Sequence, residues 1–222
     1  ALQKPIESAI AAGIKVVLVD TTIDDPSKAV AEIASDNNGG GAAAFKAVTQ
    51  LQPKGGKVLV VSTDPGVSSV DARVAGFGDA ANGNKKFNYI GVQYSHNDPA
   101  TAQRIITAAL AKNKDIVAVF ATNLFSAQGV ATGIKQAGKA GKISVVGFDA
   151  GSDQVKALKA GVVQALIAQQ PASIGAQGIE AAVKAIGGGT VSPHAVKTGF
   201  TILTKANIDT PAGLKAQYRD AC

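Results

Sequence analysis

The stretch Lys142-Ile143-Ser144-Val145-Val146-Gly147-Phe148-Asp149-Ala150-Gly151 reads as a buried strand that stops at Gly147 and delivers Phe148 and Asp149 into a turn. It sets an aromatic and a carboxylate side by side at the carboxyl end of a strand. In open α/β sheets ligands bind there, because the loops that follow the strands converge on a crevice. The turn is therefore a candidate wall of a ligand site.

Upstream the same unit recurs. The strand Lys57–Ser62 leads through Thr63-Asp64-Pro65-Gly66 to a helix over 69–81. The strand Tyr89–Gln93 leads through His96-Asn97-Asp98-Pro99 to a helix over 100–111, and the strand Ile116–Phe120 leads through Thr122-Asn123 to a helix over 126–136. With the unit at 143–158 these make four successive βα units joined by short loops, which predicts a doubly wound parallel sheet. Downstream, a strand over 162–168 ends in Gln169-Gln170-Pro171, and a helix over 172–186 stops at Gly187-Gly188-Gly189. A single strand over 195–203 and a polar tail are expected to close the chain. In front lie a helix over 2–12 ending at Gly13, a strand over 15–19 followed by Asp20, a short strand over 31–34 and a helix from about Gly40 to Leu51. A helix with no strand before it, followed at once by a buried parallel-type strand, predicts that strand–helix units precede Ala1 in the intact protein.

Composition agrees with α/β. Of 222 residues, 46% are hydrophobic and 17% charged, the balance of a packed globular chain. Ala, Val and Ile dominate the apolar side, which suits β-branched strands alternating with Ala-rich helices. The net charge of +6 is scattered, with no basic run interleaved with aromatics, so no nucleic-acid partner is expected. No apolar run approaches the ~20 residues that span a bilayer. The two histidines, His96 and His194, lie in separate loops and outside metal-ligand spacing, and Cys222 stands alone, so neither a metal nor a catalytic nucleophile is expected. Cys222 is either a free thiol or paired with a cysteine beyond this sequence.

The strand-end loops carry Asp20, Ser35, Asp64, Asn97, Asn123, Asp149 and Gln169, with Arg73 one turn into a helix. Asp, Asn, Gln and Arg offer paired donors or acceptors in one plane, which match adjacent hydroxyls of a sugar or polyol, and Phe148 offers a flat apolar face. Asp, Asn and Ser at such positions also serve as helix N-caps. Recurrence along one edge, together with Arg73, Gln169 and Phe148, favours a site. A competing pattern is Gly39-x-Gly41-x-x-Ala44, which resembles a dinucleotide fingerprint with Asp64 downstream as the acidic residue. It leaves an NAD-dependent enzyme as an alternative, although four polar residues separate its first Gly from the preceding strand.

Taken together, Ile33-Ala34-Ser35-Asp36-Asn37, Gly66-x-x-Ser69 with Arg73-x-x-Gly76-Phe77, Phe120-Ala121-Thr122-Asn123, Val145–Asp149 and Ile167-Ala168-Gln169-Gln170-Pro171 resemble the ribose-binding family of periplasmic substrate-binding proteins of ABC sugar transporters. The resemblance runs over about residues 1–205. It implies two doubly wound lobes joined by a three-strand hinge that close on a monosaccharide: 1–35 with 170–198 belong to the first lobe, incomplete here, and 36–169 with 199–222 to the second. It assigns hydroxyl contacts to Asp20, Ser35, Arg73, Asn123, Asp149 and Gln169, ring stacking to Phe148, and cleft-lining positions to Asp64 and Asn97. It implies a receptor without catalysis or cofactor, monomeric, periplasmic or otherwise extracytoplasmic, lipid-anchored if a preceding segment carries an anchor, and partnered with a membrane permease. Thr21 stands where ribose binders carry an arginine, and Asn97 where some carry an aromatic, so a different pentose, hexose or polyol is open. A sugar-responsive transcription regulator built on the same core is a further alternative.

Overall fold

The computed structural model describes residues 2–219, so Cys222 lies outside the described residues. The chain forms two compact units, Ala1–Asp36 with Gln170–Gly199 and Asn37–Gln169 with Phe200–Cys222, and passes between them three times.

The smaller unit holds helix α1 (Gln3–Ala11) and a parallel sheet of β1 (Val17–Val19), β2 (Ala31–Ser35) and β8 (Ala195–Thr198) in the order β1-β2-β8. Helix α7 (Pro171–Ile186) packs on it through Ile174 and Ala181, which meet Ala31 and Ile33. Proline at the first helical position supplies the start of α7, because its missing N–H would be unpaired there in any case. Ile179, Val183 and Ile186 on α7 and Val19 on β1 are exposed.

The larger unit is a six-stranded sheet ordered β4-β3-β5-β6-β7-β9. Its strands are β3 (Gly56–Ser62), β4 (Phe87–Tyr94), β5 (Ile116–Ala121), β6 (Ser144–Phe148), β7 (Ala165–Ala168) and β9 (Thr201–Thr204), all parallel except the antiparallel β7–β9 pair. The central strands β6 and β7 are buried at every position, the continuous apolar runs expected where helices cover both faces. Alternate residues divide between two cores: Leu59, Val61, Val119, Ala121, Val145 and Leu166 face one side, and Val58, Val60, Ala118, Phe120, Val146, Phe148 and Ile167 face the other. The covering helices are α2 (Asn37–Leu51), α3 (Ser68–Asn82), α4 (Pro99–Lys112), α5 (Leu124–Gln136) and α6 (Ser152–Lys159), with α8 (Pro211–Ala216) near the end.

Four expectations change. The single strand over 195–203 is two strands in two sheets, broken at Gly199-Phe200. The strand expected from Val162 begins at Ala165, because Gly161 adopts φ +74° and the amides of Val162 and Val163 turn back to the Ala157 carbonyl. The polar tail contains α8, capped by Thr210, whose hydroxyl accepts from the Gly213 amide at 3.1 Å, with Pro211 at its start. Finally, Gly39 and Gly41 lie inside α2, which begins at Asn37, and form no phosphate-binding turn. A Cβ on Gly41 would stand 2.1 Å from the Arg73 carbonyl oxygen, and one on Gly76 would stand 2.0 Å from that of Asn38. These glycines let α2 and α3 touch backbone to backbone, and that contact overturns the dinucleotide reading. Gly41→Ala is accordingly expected to destabilise the larger unit by about 1–3 kcal/mol through overpacking, against the ~1 kcal/mol that helix propensity alone would gain. A lowered urea midpoint for that unit checks it.

Candidate functional site

Five adjacent strands of the larger unit each deliver a polar residue at the carboxyl edge: His96 and Asn97 after β4, Asp64 after β3, Asn123 after β5, Asp149 after β6 and Gln169 after β7. The Asp149 carboxylate is almost fully buried. Its Oδ1 accepts from Gln169 Nε2 at 2.6 Å and from the Tyr218 hydroxyl at 3.1 Å, and its Oδ2 accepts from the Leu124 amide at 3.0 Å. The Tyr218 hydroxyl also accepts from the Gln169 amide at 3.1 Å, so Tyr218 joins the ends of β6 and β7. Burial, and then the Asp149 charge, push the Tyr218 phenol well above its ordinary pKa.

A phenol whose pKa is raised on folding stabilises the native state below its unfolded pKa of about 10 and loses that contribution as pH rises further. Tyr218→Phe is therefore expected to cost about 1–3 kcal/mol at neutral pH, the range for a neutral to a charge-assisted hydrogen bond. The gap from wild type should shrink above about pH 10, as read by urea midpoints at both pH values.

Arg73 supplies the buried positive charge. A guanidinium taken out of water must be hydrogen-bonded throughout. Its Nε donates to Asn37 Oδ1 and its Nη1 to the Thr122 carbonyl, both at 2.9 Å, and the group lies 3.7 Å from the centroid of the Phe148 ring. Phe148 is not a stacking surface for a ligand. Its ring has no solvent exposure, because it shares the strand face of Val146 and packs with Phe120 and Ile167 beneath α2. It is the floor on which Arg73 rests.

At the other end, Asn123 Oδ1 caps α5 by accepting from the Ser126 amide at 3.0 Å, while its Nδ2 donates to Asn97 Oδ1 at 2.7 Å. The capping and site readings of Asn123 are thus both met by one side chain. Asp64 pairs with His96 Nδ1 at 2.5 Å. Among the described residues, positive φ outside glycine occurs at Asp20, His96, Asn97 and Asp149, each within three residues of a strand end. Such backbone is uncommon for non-glycine residues and clusters at functional sites.

Asp20 and Ser35 belong to the smaller unit, where they follow β1 and end β2. Asp20 is exposed and its amide donates to the Ile33 carbonyl at 2.9 Å, whereas Ser35 is buried. The structure brings Asp64, Arg73, Asn97, Asn123, Asp149 and Gln169 to one edge of the larger unit. Asn37, Thr122 and Tyr218 are participants the sequence reading missed. Asn37 lay within the quoted Ser35-Asp36-Asn37 run, but its partner Arg73 is 36 positions away, and nothing local marks Tyr218. Among the described residues no three or more His, Cys, Asp or Glu side chains come together as a metal site, and no helix is long and apolar enough to cross a membrane. A groove of about 670 Å³ lies among α4, α5 and α6, lined by Gln103, Gln128 and Lys156, and is separate from this edge.

Residues 1–190 match the family described as periplasmic binding protein domain. The ribose import binding protein of Haemophilus influenzae is 36% identical over 159 residues, which cover 72% of this chain and 53% of that protein. The D-allose-binding periplasmic protein of Escherichia coli is 33% identical over 199 residues, covering 86% of this chain and 64% of the relative. A crystal structure of an ABC transporter solute-binding protein from Agrobacterium vitis, bound with α-D-tagatopyranose, superposes with a TM-score of 0.95 at 36% identity over 99% of this chain and 76% of its own. The chain thus spans about half the length of the first of these curated relatives. From the match over most of its length, this α/β chain belongs to the periplasmic binding protein domain family.

Proposed function

We propose that the intact protein is the solute-binding receptor of an ABC-type sugar importer, taking a monosaccharide or polyol and passing it to a membrane permease without chemical change. The observation that carries this reading is the Asp149 constellation: a buried carboxylate held by Gln169, Tyr218 and the Leu124 amide at the carboxyl edge of a parallel sheet. Beside it lies Arg73, fixed on Phe148. Fixed planar donors and acceptors suit vicinal hydroxyls, and their internal hydrogen bonds hold them in place before a ligand arrives, which lowers the cost of ordering them. Relatives named for ribose and allose, and a solved neighbour holding a tagatose, support a ligand of the same chemical class.

Asp20 and Ser35 contribute further hydroxyl contacts in this reading, and Asn97 and Asp64 line the site. Ligand binding shifts the protein toward whichever conformation binds it more tightly. The three chain passages, at 36/37, 169/170 and 199/200, are the covalent connections such a change would act through. The receptor works outside the cytoplasmic membrane, as a monomer, and without a cofactor. The test is a thermal-shift panel of pentoses, hexoses and polyols on the intact protein. A ligand at 100 times its Kd adds about 2.7 kcal/mol of stability, so a true ligand raises Tm clearly. No shift with any member at millimolar concentration refutes the reading.

A further inference from the structure

His96 and Asn97 are consecutive residues in the left-handed region, at φ +52° and +54°. Each such residue costs on the order of 1–3 kcal/mol unless its surroundings enforce it. The enforcement is visible: the Ser95 amide donates to the Ser62 carbonyl at 2.8 Å, the His96 amide to the Thr63 carbonyl at 3.0 Å, and the Asp98 amide to the Ser95 carbonyl at 3.0 Å. The buried Ser95 hydroxyl also reaches the Ser62 carbonyl, at 2.9 Å, and Ser126 Oγ, at 3.0 Å. This backbone accompanies two side-chain pairs, Asn97 with Asn123 and His96 with Asp64. Asn97 is thereby tied to the site already described, and His96 stands next to it with its side chain 71% exposed.

We propose that His96, oriented by Asp64, is a specificity-determining residue that binds the hydroxyl of the sugar or polyol lying farthest from Asp149. The inference rests on the sugar-receptor reading above. With Nδ1 engaged by the Asp64 carboxylate, Nε2 is the nitrogen presented to a ligand. In the neutral ring it accepts, and a hydroxyl can donate to it; in the charged ring it donates, and the same hydroxyl can accept. The adjoining Asp64 carboxylate disfavours a ligand carboxylate or phosphate at this point, so a neutral hydroxyl is the matching group.

The sheet fixes which hydroxyl is meant. Strand order runs β4-β3-β5-β6, and neighbouring strands lie about 4.8 Å apart, so the end of β3 that carries Asp64 is roughly 10 Å from the end of β6 that carries Asp149. One hydroxyl cannot satisfy both. Asp149 and His96 therefore address opposite ends of the ligand, and His96 favours ligands long enough to carry a hydroxyl at the far end.

The test is calorimetry on the intact protein, using the best-binding sugar of the panel and its singly deoxygenated analogues, with wild type, His96→Asn and Asp64→Ala. Asn tolerates left-handed backbone and is shorter than the imidazole. His96→Asn is expected to weaken the parent sugar about five- to tenfold, as loss of one hydrogen bond does, yet leave affinity unchanged for the one analogue that lacks the contacted hydroxyl. Asp64→Ala, which frees the imidazole, should show a smaller loss that spares the same analogue, a pattern that a general structural role would not produce. A loss equal across all analogues, or none, overturns the assignment of His96 while wild-type binding leaves the receptor reading intact. If no sugar or polyol binds the wild type, the receptor reading itself fails, and the role of His96 with it.

Discussion

Asp149→Ala is expected to lower sugar affinity about 10- to 100-fold, since a hydrogen bond to a charged acceptor is worth about 1.5–3 kcal/mol. A carboxylate offers roughly four acceptor positions, and the Leu124 amide, Gln169 and Tyr218 take three. One is left for a ligand hydroxyl, and the other three hold it in place. Two effects must be separated. Asp149 sits at φ +77°, where Ala is strained, and its removal strands the buried Tyr218 hydroxyl and Gln169 amide, so stability falls as well. Asp149→Asn resolves the two, because Asn accepts left-handed backbone and keeps the shape but not the charge. Under the receptor reading Asp149→Asn, whose Nδ2 gives up the acceptor at one of the two oxygen positions, loses less stability than Asp149→Ala yet still loses much of the affinity per folded molecule by isothermal calorimetry. If Asp149 were only an internal pin, both variants would lose stability and neither would lose affinity per folded molecule.

The end of β6 was legible only in part: the apolar run and the carboxylate marked a strand followed by a turn, but the strand runs past Gly147 and includes Phe148, so Asp149 alone enters the turn. The recurrence of strand, polar turn and helix from Lys57 onward was legible because local signals agreed there. Readings failed where the deciding partner is remote in sequence. The apolar alternation from Ala195 to Leu203 runs across Gly199-Phe200 without a break strong enough to mark it. No periodicity says that the first half pairs with β2 and the second with β7. Tyr218 is tied to Asp149 across 69 positions. The helix α8 is different, since Thr210-Pro211 is a start signal that can be read directly. The glycines of α2 illustrate the opposite hazard: spacing alone could not tell a phosphate-binding turn from a helix crossing, because both need a residue without a side chain.

Phe148 carries the second large effect, and it follows from strand parity. Val146 and Phe148 share one face of β6, and Val146 is in the core with Phe120 and Ile167, so Phe148 belongs to the core too. Phe148→Ala is expected to destabilise the larger unit by about 3–5 kcal/mol, the cost of a fully buried aromatic and its cavity. That is a large share of the roughly 5–15 kcal/mol by which domains are stable. The start of α2 lies directly on the ring, with a Cβ on Gly40 only 2.8 Å from Cε2, which leaves the helix little room to collapse into the space except by moving Asn37 and hence Arg73. The variant should also lose the cation–π contact, worth up to about 2 kcal/mol when desolvated. Urea midpoints and sugar affinity measured on the same preparations separate the roles. A ligand-stacking residue would lose affinity with stability nearly unchanged. A residue that floors Arg73 loses stability first, and Phe148→Leu, which refills most of the cavity but presents no π face, should recover much of the stability while affinity stays reduced through a loosened Arg73.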